Sequence, residues 1–93
     1  MTEVHIPQQA TASSSARKRF LYHQEKAMNA YEEYQAAQSK VDAYEGAIRR
    51  REANKLVAKV ELATDGVYKD LVGTRNYWQQ VMHNEVAMAS LYK

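Results

Sequence analysis

No cysteine occurs among the 93 residues, which removes disulfide cross-links, thiolate metal ligation and thiol nucleophiles from consideration. One proline and three glycines leave few places where the backbone is made to turn. No apolar run approaches the roughly 18–20 residues of a membrane-spanning helix, and the residues near Met1 lack the apolar segment of a secretory leader. The expected location is therefore cytoplasmic, with no membrane partner. Charge of one sign is not in excess either. A net charge of +2 is too small to select an anionic partner, so the distribution of charge has to be read instead.

What fills the sequence is Ala, Glu, Gln, Lys, Arg and Leu, residues that lose little free energy in a helix. The expectation is an all-α protein with a single domain. A compact fold of this length buries only about 60–65% of the surface its unfolded chain exposes, and an elongated one buries less. Self-association or a binding partner is the natural source of further stability.

Residues 1–15, MTEVHIPQQATASSS, hold the only proline and three consecutive serines without apolar periodicity, which reads as an extended or disordered arm. The rest, 16–93, reads as one helical domain. Ser13, Ser14 or Ser15 can cap a helix start by accepting from first-turn amides. Beyond them Phe20, Ala27, Tyr31, Tyr34, Val41, Tyr44 and Ile48 recur at spacings of three, four and seven, the spacing of one helical stripe.

The stripe lapses across Arg49–Lys55 and resumes as the series Val57, Val60, Thr64, Val67, Leu71, Thr74, Trp78, Val81, Glu85, Met88, Tyr92, of which eight are apolar. Thr64-Asp65-Gly66 is the strongest breaker, since Asp favours caps and Gly tolerates a left-handed backbone. The sequence thus predicts a long, coiled-coil-like helical hairpin: a helix over about 16–62, a turn at 64–66 and a helix over about 67–91. Gly46 is the alternative break, and Gly73 a weaker one. With the turn at 64–66, a second helix of about 25 residues would cover only the later half of the first. Phe20, Leu21, Met28, Tyr31 and Tyr34 would then lie open as a protein-interface stripe. A turn at Gly46 would match the arms and weaken that case.

The residues offer little for catalysis. His5, His23 and His83 belong to no metal-ligand spacing, with neither His-Glu-x-x-His nor Glu-x-x-His present. Glu32 and Glu33 are adjacent and so point about 100° apart on a helix, which does not make a shared site. No glycine-rich phosphate loop occurs, and a chain with few turns has little means of building a pocket around a nucleophile. The expectation is no enzyme activity, no cofactor, no metal and no small-molecule substrate.

Charge is segregated along the chain. Residues 25–45 carry five acids against two bases, residues 49–59 carry Arg49, Arg50, Arg51, Lys55 and Lys59 against Glu52, and residues 61–85 return to four acids against two bases. On one continuous helix, Arg51, Lys55 and Lys59 would form a like-charge ridge that costs a few tenths of a kcal/mol per pair. An intramolecular acidic segment, an acidic partner or a nucleic-acid backbone would each offset that cost. Arg17, Lys18 and Arg19, at the expected start of the first helix, would oppose its macrodipole and suggest a second anion contact. Trp78, in phase with Leu71 and Val81, reads as core or as an interface anchor.

Two resemblances concern style more than motif. The length and hairpin pattern resemble the small secreted WXG-type helical hairpins, with Tyr44-Glu45-Gly46 standing mid-chain where their Trp-x-Gly would be. Tyr44 replaces the Trp, and Arg49-Arg50-Arg51-Glu52 follows. The Ala- and Tyr-rich composition also looks like that of many small phage-encoded helical proteins. The functional expectation is a non-enzymatic assembly or adaptor protein, acting through protein partners or self-association in an oligomer. The alternative is a nucleic-acid-binding accessory protein using the basic residues.

Overall fold

In a computed structural model the chain forms three consecutive helices, α1 (Thr2–Arg51), α2 (Lys55–Thr64) and α3 (Gly66–Leu91). The structure describes the backbone of residues 2–93 and the side chains from Ser14 onward. The backbone of residues 2–15, expected as an extended or disordered arm before a helix start at Ser13, Ser14 or Ser15, lies within α1, and the side chains before Ser14 fall outside the described ones. Contacts between α1 and α3 descend along one helix as they ascend the other: Tyr44 meets Asp65, Gln38 meets Arg75, His23 meets Glu85 and Arg19 meets Tyr92. The molecule is therefore an antiparallel helical hairpin, about 16 Å across in both short directions.

The reversal lies elsewhere than the glycines suggest. α1 runs unbroken through Gly46 and stops at Arg51, and the chain turns over Glu52, Ala53 and Asn54. By Ala58 and Leu62 it already packs against Ile48. Two interactions account for the turn. Arg49, Arg50 and Arg51 occupy the last turn of α1, where cations offset the partial negative charge of the unpaired carbonyls. The Asn54 Oδ1 accepts from the Leu56 and Val57 amides at 3.0 and 3.1 Å, satisfying two of the unpaired donors at the start of α2.

Asp65 divides the second arm. Its backbone is extended, with φ −81° and ψ 121°, and its carboxylate caps α3 by accepting from the Tyr68 amide at 2.9 Å. So Thr64-Asp65-Gly66 is a joint between two helices and not the reversal expected there. No glycine among the described residues adopts a positive φ, so the left-handed conformation that made Gly66 and Gly46 attractive turn positions is not used. Tyr44-Glu45-Gly46 lies inside α1, so the feature likened to the WXG turn is not a turn.

The seam follows a strict three–four alternation. On α1 it comprises Phe20, His23, Ala27, Ala30, Tyr34, Ala37, Val41, Tyr44 and Ile48, and on α3 Tyr68, Leu71, Arg75, Trp78, Met82, Glu85, Ala89 and Tyr92, every one buried or half-buried. Tyr31, expected in the stripe, is exposed, because Ala30 takes the inward position next to it. Val57, Val60 and Val67 are exposed as well. The break at Asp65 separates α2's phase from that of α3, and Ala58 and Leu62 are the residues α2 turns inward. The buried apolar set is thin: Ala27, Ala30, Ala37, Val41, Ile48, Ala58, Leu62 and Ala89, five of them alanines.

Two polar pairs cross the seam. His23 Nδ1–H donates to Glu85 Oε2 at 2.6 Å, with its ring stacked on Tyr92 at 5.9 Å. Arg75 Nη1 donates to Gln38 Oε1 at 2.6 Å. A register shift would strip both pairs and leave half-buried charge without a partner, so polar seam positions select one register.

Candidate functional site

Because the chain turns at 52–54, α3 extends along the N-terminal half of α1 as far as Arg19. The stripe expected to lie open divides accordingly. Phe20 is half-buried beside Tyr92, and Tyr34 is half-buried and stacked on Tyr31 at 6.4 Å. Leu21, Met28 and Tyr31 remain 46%, 61% and 46% exposed. Trp78 sits half-buried at the edge of a shallow groove lined by Lys26, Asn29, Glu32, Glu33, Val81 and Glu85, with Tyr77 against it edge-on at 5.1 Å.

On the outer side of α1, Leu21, Glu25, Met28 and Glu32 succeed one another at intervals of four, three and four, which stacks them in one row. All four are exposed. The row thus alternates apolar and acidic groups, with Tyr31 flanking it. Arg17 and Lys18, also exposed, close it at the end nearer Thr2. Since α1 begins before them, these cations lie within the helix and do not oppose the positive end of its dipole.

The second surface is the tip of the hairpin. With Ala58 and Leu62 turned inward, α2 presents Leu56, Val57 and Val60 outward, 69%, 47% and 57% exposed. Lys55 and Lys59 flank them one turn apart, and Arg49 and Arg50 adjoin from the end of α1, all exposed. Arg51 pairs with Glu61, and the Arg50 guanidinium folds back so that a Cβ on Gly46 would meet its Nη1 at 3.2 Å. The expected straight ridge of Arg51, Lys55 and Lys59 does not form, because the helix carrying the first ends before the other two begin. Five cations are gathered at the tip instead of being strung along a helix.

Between tip and seam lies a hydrogen-bonded junction. The Tyr44 hydroxyl donates to Asp65 Oδ2 at 2.6 Å, and the Tyr68 hydroxyl donates to Glu45 Oε1, while the two tyrosine rings stack at 6.3 Å. The Tyr44 bond, and then the Tyr68 amide, hold the Asp65 carboxyl below its ordinary value. Donation to Asp65 raises Tyr44 and donation to Glu45 raises Tyr68. Sequence reading missed this junction and the tip surface. Asn54, following a cationic helix end and preceding Leu56 and Val57, was the available signal.

Among the described residues no three His, Asp or Glu side chains converge as a metal site would require. None of the described helices is long and apolar enough to cross a membrane. No family model, curated protein or solved structure matches the chain.

Proposed function

We propose that this chain is a non-enzymatic assembly or adaptor protein that acts through protein–protein contacts along its helices, within an oligomer. The observation that carries this reading is the imbalance between inside and outside. The buried apolar set is mostly alanine, while large apolar side chains stand exposed on all three helices. Clustered apolar surface rimmed by polar groups is how contact sites on soluble proteins present themselves.

Light scattering tests the reading. The wild-type mass should exceed the 10.7 kDa of one chain and rise with concentration. Replacing both Met28 and Tyr31 by Glu should return it to the single-chain value with helix content by circular dichroism unchanged, since both are exposed. Tyr34 is a poorer choice, because its half-buried ring belongs to the seam. A single-chain mass at every concentration would count against the oligomer.

A second reading draws on the cations gathered at the tip. Arg49, Arg50, Lys55 and Lys59 would contact a nucleic-acid backbone without reading bases. Affinity for duplex DNA should then fall steeply with salt and drop when Lys55 and Lys59 become Ala.

A further inference from the structure

The two exposed surfaces of the hairpin are complementary to each other. The tip presents Leu56, Val57 and Val60 beside Lys55 and Lys59, and the outer row of α1 alternates Leu21 and Met28 with Glu25 and Glu32. We infer that the partner in the proposed assembly is a second copy of this chain, the basic apolar tip of one molecule docking on the acidic apolar row of α1 in the next. This rests on the assembly reading and adds to it the identity of the occupant and the geometry of contact.

Four observations support it. Within one molecule the surfaces cannot meet: α2 packs against Ile48, and the nearest end of the row, Glu32, is about 24 Å further along α1 at 1.5 Å per residue. The dimensions agree, because the row from Leu21 to Glu32 and the ten residues of α2 both span about 15–17 Å. Tip against tip would oppose Lys55 and Lys59 to themselves, and row against row would oppose Glu25 and Glu32, so like-with-like dimers are disfavoured by charge. Glu61, the acid on α2 that would blur this pattern, is already engaged by Arg51.

The position of docking is also constrained. Arg17 and Lys18 close one end of the row and repel an incoming tip, which moves it toward Met28 and Glu32. Each molecule owns one tip and one row, so the contact is heterologous: it propagates head to side, as an open string or a closed ring. A single helix lying across another buries little area, which places the contact in the weak, salt-sensitive class.

The experiment is a reciprocal charge exchange read by sedimentation from about 10 μM to 1 mM, the range of weak association. Wild type should gain mass with concentration and lose it in high salt. Lys55→Glu with Lys59→Glu should abolish association, and so should Glu25→Lys with Glu32→Lys. Mixing those two variants, or combining all four changes in one chain, should restore it. Circular dichroism checks that each variant keeps its helix content.

The cysteine-free sequence allows a second readout that does not depend on charge. A mixture of Val57→Cys and Met28→Cys chains should form the mixed disulfide in preference to either homodimer. Failure of the fourfold variant to associate, or a merely statistical distribution of disulfides, would overturn the inference. If wild type associates and the Lys55, Lys59 exchange leaves its mass unchanged, the tip-to-row contact falls while the assembly reading stands. If wild type stays at single-chain mass throughout, or does so while binding anionic vesicles or duplex DNA through Lys55 and Lys59, the second copy is not the occupant and the oligomer falls with it.

Discussion

The seam between α1 and α3 and the tip built on α2 hold the chain together by different means. The seam is long, its fully buried residues along the arms are small (Ala27, Ala30, Ala37, Val41 and Ala89), and it is crossed by two polar pairs. Small side chains let the helices approach closely but contribute little burial each, and the polar pairs serve register more than stability. The tip is short and carries the largest fully buried aliphatic side chains, Ile48 and Leu62, with Tyr44 and Tyr68 packed against them. It also holds both capped helix starts, Asn54 and Asp65. The largest buried aliphatic side chains and both helix caps thus sit near the chain reversal, and the two long arms run out from there in register.

The sharpest way to break this contrast is Leu62→Ala. It should cost about 2–3 kcal/mol, the low end for a buried leucine, because a small cluster near a turn can partly collapse. The melting temperature should fall by roughly 10 °C or more for a domain of this size. An equal loss from Ala30→Gly in the seam would contradict the contrast.

Asp65→Ala comes next. It removes the cap of α3 and the acceptor of Tyr44 together, so it should lower the melting temperature more than Asn54→Ala, which removes a cap worth about 1 kcal/mol. The junction also sets a pH profile. The Asp65 carboxyl is lowered from 3.8, so its contribution is complete above that value and is lost as pH falls through the depressed folded value. Tyr44 and Tyr68 are raised from 10.0, so theirs is complete below that value and is lost as pH rises through the elevated folded values. The junction should therefore lower the melting temperature on both sides of that interval, and Asp65→Ala should shrink the acid limb.

The smallest expected effect has the opposite sign. Nothing lies within 4 Å of a Cβ built on Gly73, which sits inside α3. Gly73→Ala should stabilise by about 0.5–1 kcal/mol through the lower backbone entropy of the unfolded chain, measurable as a rise of a few degrees in melting temperature. A drop would mean that this side of α3 is covered in solution.

The hairpin class was legible in the sequence because heptad spacing survives along both arms. Its details were obscured by two physical effects. Alanine has little hydrophobicity to register, so Ala30 and Ala37, which line the seam, lose to the large neighbouring ring of Tyr31, which does not. Glycine signals a break only where its conformational freedom is used, and neither Gly46 nor Gly66 uses it. The real stop was written in Arg49–Arg51 at a helix end followed by Asn54, and their cationic character read first as a binding ridge. That early displacement of the turn also decided which residues lie open, since it brought α3 alongside Phe20 and Tyr34 while leaving Leu21, Met28 and Tyr31 outside.

The Asp65 carboxylate ends up with an orienting role. The residue's extended backbone ends α2, and its side chain steers that helix by gripping Tyr44 of the opposite arm and the first turn of α3 together. The angle at which the tip is offered to its surroundings is thus set from one side chain, as a bracket sets the angle of a blade. Alterations there would re-aim the outward surface of α2 without touching any residue on it.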